Sequence, residues 1–560
     1  MWKSLILGFF ITISFTNSLW AQSLNCQWAQ SVGGNTDETS TSIVKDASGN
    51  LFVAGNFKSY SIALGTNTLF NAGSSGTVAD LYVAKYSPNG NVLWAKSAGG
   101  SGEENVRSAA VDLNGNVIIV GNYSSNAMVL GTTTISNSGT DMFIVKYSPA
   151  GNVLWANSIG GFASFLGKSI STDTIGNIFI TGYFVTSISV IGTTTLTNSS
   201  GTNSADMFIV KFSPSGSVIW AHSGGGTSGD LGTSVCNDQS GNVYVSGAFN
   251  SITMTLGTTT LVNSNGTVNS GDVFIAKYSP SGALLWAQSA GGNYYDEAMG
   301  VALDQNGNIL VTGYFFGPSF SIGTVTLTNV TNTTTSNFFV AKYSSTGSFL
   351  WAHAADGSAY CIGTGVSTDA NGNVCIIGEF NSPTLVMGTA TLMNSGSQDV
   401  FIAKYSANGT FLWVDALGGN AIEYGKGISC NTNNRLYITG NFNSPTIKVG
   451  NFVLSNIGGS DIFIAEIGDD ISGIGKHSFN ELQIDIYPNP ITAQFTISFS
   501  KAQMNSTIKI IDLLGNVVKT ISNVQEKQIQ IDKGTMEDGV YFLQILDDSN
   551  NIINKKIIVQ

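Results

Sequence analysis

Asp272-Val-Phe-Ile-Ala-Lys-Tyr-Ser-Pro-Ser-Gly-Ala-Leu-Leu-Trp286-Ala-Gln-Ser-Ala-Gly-Gly292 decides the architecture, because the chain repeats this phrase with small changes along most of its length. Trp28, Trp94, Trp155, Trp220, Trp286, Trp351 and Trp413 fall at spacings of 66, 61, 65, 66, 65 and 62 residues. A fixed period of this size is the signature of a repeat architecture. Each unit reads W-A-x-S, a Gly pair, a polar loop, D-x-x-G-N, an apolar run ending in G-x-[FY], an L-G-T-T-T-L segment, and D-x-F-I-A-K-Y-S-P-x-G leading to the next Trp. The copies number seven.

Each unit holds four strand-like runs, such as Leu284 to Gln288, Asn308 to Phe315, Ser321 to Thr328 and Phe338 to Tyr343, rich in Val, Ile, Phe, Tyr and Thr. The connections carry turn chemistry: Asp304-Gln-Asn-Gly307 suits a type I turn, and Ser279-Pro-Ser-Gly282 places Pro at its second position. Small sheets that are apolar on both faces bury them only against one another, and radial stacking does this while leaving short, protected edges. The expected fold is therefore all-β: a seven-bladed β-propeller over residues 22–467, followed by a smaller β domain. A Trp strand at Gln27 to Ser31 precedes every D-x-F-I-A-K-Y strand, and the last of those, Asp461 to Ile467, has no Trp strand after it. The two orphans are expected to pair and close the ring.

Recurring Gly55, Gly121, Gly182, Gly247, Gly313, Gly378 and Gly440 mark close backbone approach or bulges. The aromatics two positions on, from Phe57 and Tyr123 through Phe184, Phe249, Phe315, Phe380 and Phe442, read as inter-blade packing, and the repeated Trp as core. The units resemble bacterial secreted β-propeller repeats through Asp304-x-x-Gly307-Asn308 and D-x-F-[IV]-[AV]-K-Y, over about residues 27–467. The seventh copy departs, with Asn431 and Arg435 in its turn and Glu466 for the usual Lys.

Only 10% of residues are charged and the net charge is −12, which excludes a nucleic-acid partner, since phosphate recognition needs clustered Lys and Arg. Lys3, the uncharged run Leu5 to Phe15 and the small Ala21 predict a secretory signal peptide over residues 1–21. That run is too short to span a bilayer, and no later stretch is long enough, so no transmembrane anchor is expected. Cys26, Cys236, Cys361, Cys375 and Cys430 are too few for a disulfide framework and read as structural thiols.

A linker is expected at 468–480 and a second domain at 481–560, with seven strands from Leu482 to Val559 suggesting a small β-sandwich. Tyr487-Pro488-Asn489-Pro490, Phe495-Thr-Ile497, Ile510-Ile-Asp-Leu-Leu-Gly515, Gly539-Val-Tyr-Phe-Leu543 and the terminal Lys555-Lys556-Ile-Ile-Val559 resemble the type A C-terminal sorting domain of the type IX secretion system. The resemblance implies recognition by that secretion machinery, passage across the outer membrane, and a cell-surface or secreted destination.

Catalytic signatures are sparse. The only arginines, Arg107 and Arg435, exclude a sialidase-like arginine triad. Gly161 to Ser169 has one residue too many for a P-loop. His222 and His353 hold one repeat position in non-adjacent units, where a surface role is expected rather than a shared metal. Four residues after the Gly pair, one position carries Glu38, Glu104, Phe165, Asp230, Asp296, Cys361 and Glu423. A ring of carboxylates on one face is a candidate Ca²⁺ or cationic-ligand site, against the alternative of solvated turns capping backbone N–H groups. No catalytic residue and no cofactor is assigned. The expectation is a non-enzymatic binding or adhesion module with a glycan or protein ligand, the alternatives being a carbohydrate-active enzyme working through paired carboxylates, or a structural surface component.

Overall fold

The computed structural model describes residues 25–468, apart from 74–75, 138, 161–164, 202–203, 269, 330–334 and 432–433, and residues 484–560, apart from 500–505, 513–515 and 547–551. The signal peptide read at 1–21, nearly all of the linker and Gly515 thus lie outside the described residues. Contacts divide the chain into two compact units, residues 1–469 and 470–560.

Among the described residues the first unit contains seven antiparallel sheets built on four strands, two of them widened to six strands by a neighbouring hairpin. One of them runs Asp296–Leu303, Ile309–Phe316, Ser336–Tyr343, Phe349–Ala354, in that order. The first strand of each sheet packs beside the first strand of the next, from Glu38–Lys45 round to Glu423–Cys430, which packs back on Glu38–Lys45. These sheets are the blades of a closed propeller.

Two readings of the repeat are corrected. The polar loop after the Gly pair is the innermost strand of the blade, and the L-G-T-T-T-L segment lies outside the blade sheet as a separate hairpin, Ser319–Ile322 with Val325–Thr328 in the fifth unit. The innermost strand carries few apolar residues because only alternate side chains, such as Asp296, Ala298 and Val301, are buried. The hairpin reaches the outer strand of the preceding blade, as where Leu256 pairs with Gly224 and Ser321 with Gly291.

Every innermost strand has a β-bulge at its fourth residue, and the glycine of the G-x-[FY] run stands opposite it. A Cβ on Gly55 would meet the Thr39 carbonyl at 1.9 Å, so no side chain fits where the bulged backbone presses in. Phe57, Tyr123, Phe184, Phe249, Phe315, Phe380 and Phe442 are all fully buried and pack between blades. Each such ring contributes about 1.5–3 kcal/mol relative to exposure.

Ring closure occurs as expected. Asn25–Val32 pairs antiparallel with Asp461–Gly468, setting Trp28 opposite Glu466 and Val32 opposite Ile462. The repeated Trp is mostly half-buried rather than core, and works as a latch to the next blade. The indole Nε1 of Trp28, Trp94, Trp155 and Trp220 donates to the carbonyls of Pro88, Pro149, Pro214 and Pro280, each in the S-P-x-G turn of the following blade. The turn glycine lies over the same ring: at Gly151, with φ of +80°, a Cβ would sit 2.9 Å from the Trp94 indole. At the position two residues after Trp, Gln30, Asn157 and Gln288 donate to that glycine's carbonyl. His222 and His353 hold this position too. They are not surface residues as expected, but half-buried against Tyr278 and Tyr405, with centroids 6.0 and 5.0 Å apart.

Inside five of the blades the Asp of D-x-x-G-N meets the Lys of the third strand, as in Lys146–Asp112 at 2.9 Å, Lys342–Asp304 at 2.9 Å and Lys404–Asp369 at 2.8 Å. All five cysteines are free thiols, and burial pushes Cys26 up to about 12, as befits packing groups.

The second unit has a three-stranded sheet, Ile484–Tyr487, Gln494–Phe499 and Gln528–Asp532, and a four-stranded sheet formed by Ser506–Ile511, Val517–Val524, Gly539–Leu546 and Ile552–Val559. Phe495, Ile497 and Ile531 from the first sheet share one core with Ile508, Leu543 and Ile557 from the second, a small β-sandwich.

Candidate functional site

Glu38, Glu104, Asp230, Asp296 and Glu423 open the innermost strands and are fully buried, so the reading as solvated turns is corrected. Their role is capping in an enclosed setting. Glu38 Oε2 accepts from Gly34 N at 2.7 Å, Asp296 Oδ2 from Gly292 N at 2.7 Å, and Glu423 Oε2 from Gly419 N at 2.9 Å. The same bond joins Gly100 to Glu104 and Gly226 to Asp230. Each acid also lies across a blade junction from the first residue of the preceding D-x-F-I strand: Asp461, Asp80, Asp206, Asp272 or Asp399, in the same order. One oxygen of each of these Asp residues has no hydrogen-bond partner among the described residues.

The Gly pair is explained by this arrangement. Its second member donates to the inner acid, while its first lies against the facing Asp: a Cβ on Gly33 would be 2.1 Å from the Asp461 carboxyl, and one on Gly291 2.1 Å from Asp272. Desolvation, with repulsion from the facing carboxylate, pushes Glu38, Glu104 and Asp230 up to about 7 and Asp296 up to about 9. Phe165 and Cys361 stand in for the inner acid at the other two junctions. Facing Cys361 the Asp is Asn337 and the first Gly of the pair is Asp356, so at that junction the whole set changes together. Each of the five candidate residues serves its own junction, and among the described residues no group of three or more His, Cys, Asp or Glu side chains is placed to hold a metal ion.

Departure from the repeat is found instead along the ring's inner lining. The bulged fourth residues of the innermost strands are Thr41, Arg107, Lys168, Thr233, Met299, Thr364 and Lys426. A bulge re-aims its side chain out of the ladder. Thr233 and Thr364 donate to the Ala298 and Gly425 carbonyls of the next innermost strand. Lys426 lies 2.8 Å from Glu379 and over the Tyr424 ring. Glu297, from the second position of its strand, accepts from Tyr314 Oη at 2.7 Å and Tyr295 Oη at 3.0 Å. Lys168 stands over the Tyr183 ring, its amine pulled below the ordinary lysine value by burial and by Arg107, against the opposing effect of Glu297. Lys168, Arg107 and Glu297 stand on the innermost strands of the third, second and fifth blades. None of these residues was singled out from the sequence for binding. The available signal was their unlikeness at a position where the flanking residues repeat.

Two polar hollows flank this lining. One of about 400 Å³ spans the seventh, first and second blades and is walled by Thr39, Asn105, Tyr424, Asn443 and the Lys58–Asp37 pair. The other, of about 590 Å³, lies among the D-x-x-G-N turns of the fourth to sixth blades, with Lys45 and Asn431 also on its wall.

In the second unit the motif elements meet. Asn489 Oδ1 accepts from Ile558 N at 2.9 Å, its Nδ2 donates to the Lys556 carbonyl at 3.3 Å, and Ile491 N donates to Ile558 O at 2.7 Å. The Tyr487-Pro488-Asn489-Pro490 loop is thereby fastened to the terminal strand, leaving Tyr487, Lys555, Lys556 and Gly539 exposed.

Residues 485–560 match the family model described as the secretion system C-terminal sorting domain. This is the type IX sorting domain, and a chain that carries it is exported across the outer membrane to the cell surface or beyond. No helix among the described residues is long and apolar enough to cross a membrane. An uncharacterized WD repeat-containing protein of Acanthamoeba polyphaga mimivirus is 25% identical, over 77% of this chain and 37% of its own. An endo-acting ulvan lyase of Formosa agariphila is 32% identical over 20% of this chain and 23% of its own length. The chain therefore spans well under half of either relative. Among solved structures, the Neurospora crassa Pan2 WD40 domain aligns with a TM-score of 0.39 at 7% identity, covering 77% of this chain and 89% of that one.

Proposed function

We propose that the ring is a non-enzymatic recognition module, exported as a passenger of its sorting domain, that binds a glycan at the axial mouth. In this reading residues 1–21 carry the chain across the inner membrane, and 468–480 link the ring to its sorting domain. One observation carries the reading: the buried frame recurs at five of the seven junctions, while the axial bulge position varies among Thr41, Arg107, Lys168, Met299 and their counterparts. A frame under packing constraint repeats, and a surface shaped for a ligand diverges. The hydroxyl and amide groups of Thr39, Asn105, Asn443 and Tyr424 around the smaller hollow suit the hydrogen bonding of sugars. The buried junction acids support the non-enzymatic part of the proposal, because fully enclosed carboxylates bonded to backbone N–H groups cannot reach a glycosidic bond. The test is a polysaccharide panel presented to the whole protein, with product analysis on each hit. Retention without product is expected. Release of oligosaccharides overturns the non-enzymatic reading, and failure to retain any polysaccharide overturns the glycan reading.

A further inference from the structure

Arg107 and Lys168 occupy the bulged position of adjacent innermost strands. Neither has a carboxylate within ion-pair distance among the described residues, unlike the blade lysines Lys85, Lys146, Lys342 and Lys404 and the axial Lys426. The two cations repel, and at half-buried Lys168 the charge of Glu297 offsets only part of the effect of exposed Arg107, so the unliganded ring holds an electrostatic cost at this place. An oxyanion entering between them removes that cost. The guanidinium supplies a planar pair of N–H donors and the ammonium a point charge, the complement of a carboxylate or a sulfate ester.

We infer that the innermost strands at Arg107 and Lys168 bind the anionic group of an acidic polysaccharide, a uronate carboxylate or a sulfate ester. The inference rests on the glycan reading above and narrows its ligand class. Tyr183 beneath Lys168 supplies an aromatic face for a sugar ring, and Asn105, two residues before Arg107, a neutral amide. With a net charge of −12 the protein as a whole repels polyanions, so binding of one requires a local site rather than general attraction.

The test uses the whole protein with polygalacturonate as the carboxylate probe, dextran sulfate as the sulfate probe and dextran as the neutral control, read by titration calorimetry. Arg107→Gln and Lys168→Gln are compared with Lys45→Gln, which lies in the hollow among the D-x-x-G-N turns. Unchanged thermal midpoints check that all three fold. At least one acidic probe is expected to bind and dextran not. Each axial substitution should weaken binding about tenfold, the size of one charge-assisted hydrogen bond, while Lys45→Gln has no effect. Whichever acidic probe binds identifies the group. Acidic binding that is insensitive to both axial substitutions, or equally sensitive to Lys45→Gln, overturns the site. If the panel finds neutral polysaccharides that bind and both acidic probes fail, this inference falls and the glycan reading stands. Failure of every polysaccharide overturns both.

Discussion

Arg435 Nη1 lies 2.5 Å from Glu466 Oε1, an ion pair that carries its charges the opposite way round from the pairs of five other blades. Elsewhere the turn supplies Asp and the third strand Lys, as in Asp369 with Lys404. In the seventh blade the turn supplies the cation and the strand the anion. The apparent decay of the motif at Asn431, Arg435 and Glu466 is a compensated exchange.

Reverting one side of this exchange should cost more than reverting all of it. Glu466→Lys faces Arg435 with a second cation and is expected to destabilise by about 2 kcal/mol, less than the roughly 3–5 kcal/mol of a fully buried pair because Arg435 is half-exposed. The triple change Asn431→Asp, Arg435→Asn and Glu466→Lys restores the usual frame and should recover most of the loss. Urea denaturation midpoints decide it, and a triple variant as weak as Glu466→Lys alone would contradict the exchange.

The junction acids set a pH dependence. A carboxyl raised in the folded chain keeps a proton that the unfolded chain releases near pH ~4, so its stabilisation is complete below that pH and is lost as pH rises through the folded value. Asp80, Asp272, Asp399 and Asp461, pushed up to about 6, Glu38, Glu104 and Asp230, up to about 7, and Asp296, up to about 9, all act in this sense. Asp46, Asp112, Asp304 and Asp369 are held low by their Asn and Lys partners against burial, and lose their contribution as pH falls below ~4. The thermal midpoint should therefore peak at mildly acid pH, between about 4 and 6, and fall towards pH 9. Asp272→Asn, which copies Asn337 of the next blade, relieves the repulsion on Asp296 and should flatten the alkaline fall. A midpoint rising steadily from pH 5 to 9 would refute the assignment.

Closure depends on the first described strand. Trp28→Ala removes an indole that bonds Pro88 and lies beneath Gly90, and should cost about 2 kcal/mol, below the figure for a fully buried aromatic. Deleting residues 22–32 leaves Asp461–Gly468 as an open edge and should lower the thermal midpoint far more than trimming a free terminus does. An unchanged midpoint after the deletion would show that the ring does not need this strand.

Export should depend on the fastening of the Tyr487-Pro488-Asn489-Pro490 loop. Asn489→Ala removes both bonds to the terminal strand, and truncation after Asn551 removes that strand. Both should leave the protein inside the cell, whereas exposed Lys555→Ser with Lys556→Ser should lower export without altering the thermal midpoint. Partition between cell and medium fractions gives the readout, and normal export of the truncated chain would exclude the terminal strand from the signal.

The spacing of Trp28 to Trp413, the turn residues and the orphan strands at the two ends were sufficient to determine the repeating all-β ring and its closure, because period and turn chemistry are local properties of the chain, while the sorting tail was legible through the resemblance of its motifs to a known family. Tertiary structure alone decided what the recurrent polar residues do. Glu38 and Asp461 are more than 400 residues apart, so neither the junction they share nor the Gly pair that makes room for it is visible along the sequence. The innermost strand was misread as a loop because polar residues fill many of its positions and the bulge at its fourth residue shifts the alternation halfway along. Arg107 and Lys168 became neighbours only when adjacent blades brought their bulges to one axis, since proximity of charges is set by packing rather than by spacing in the chain.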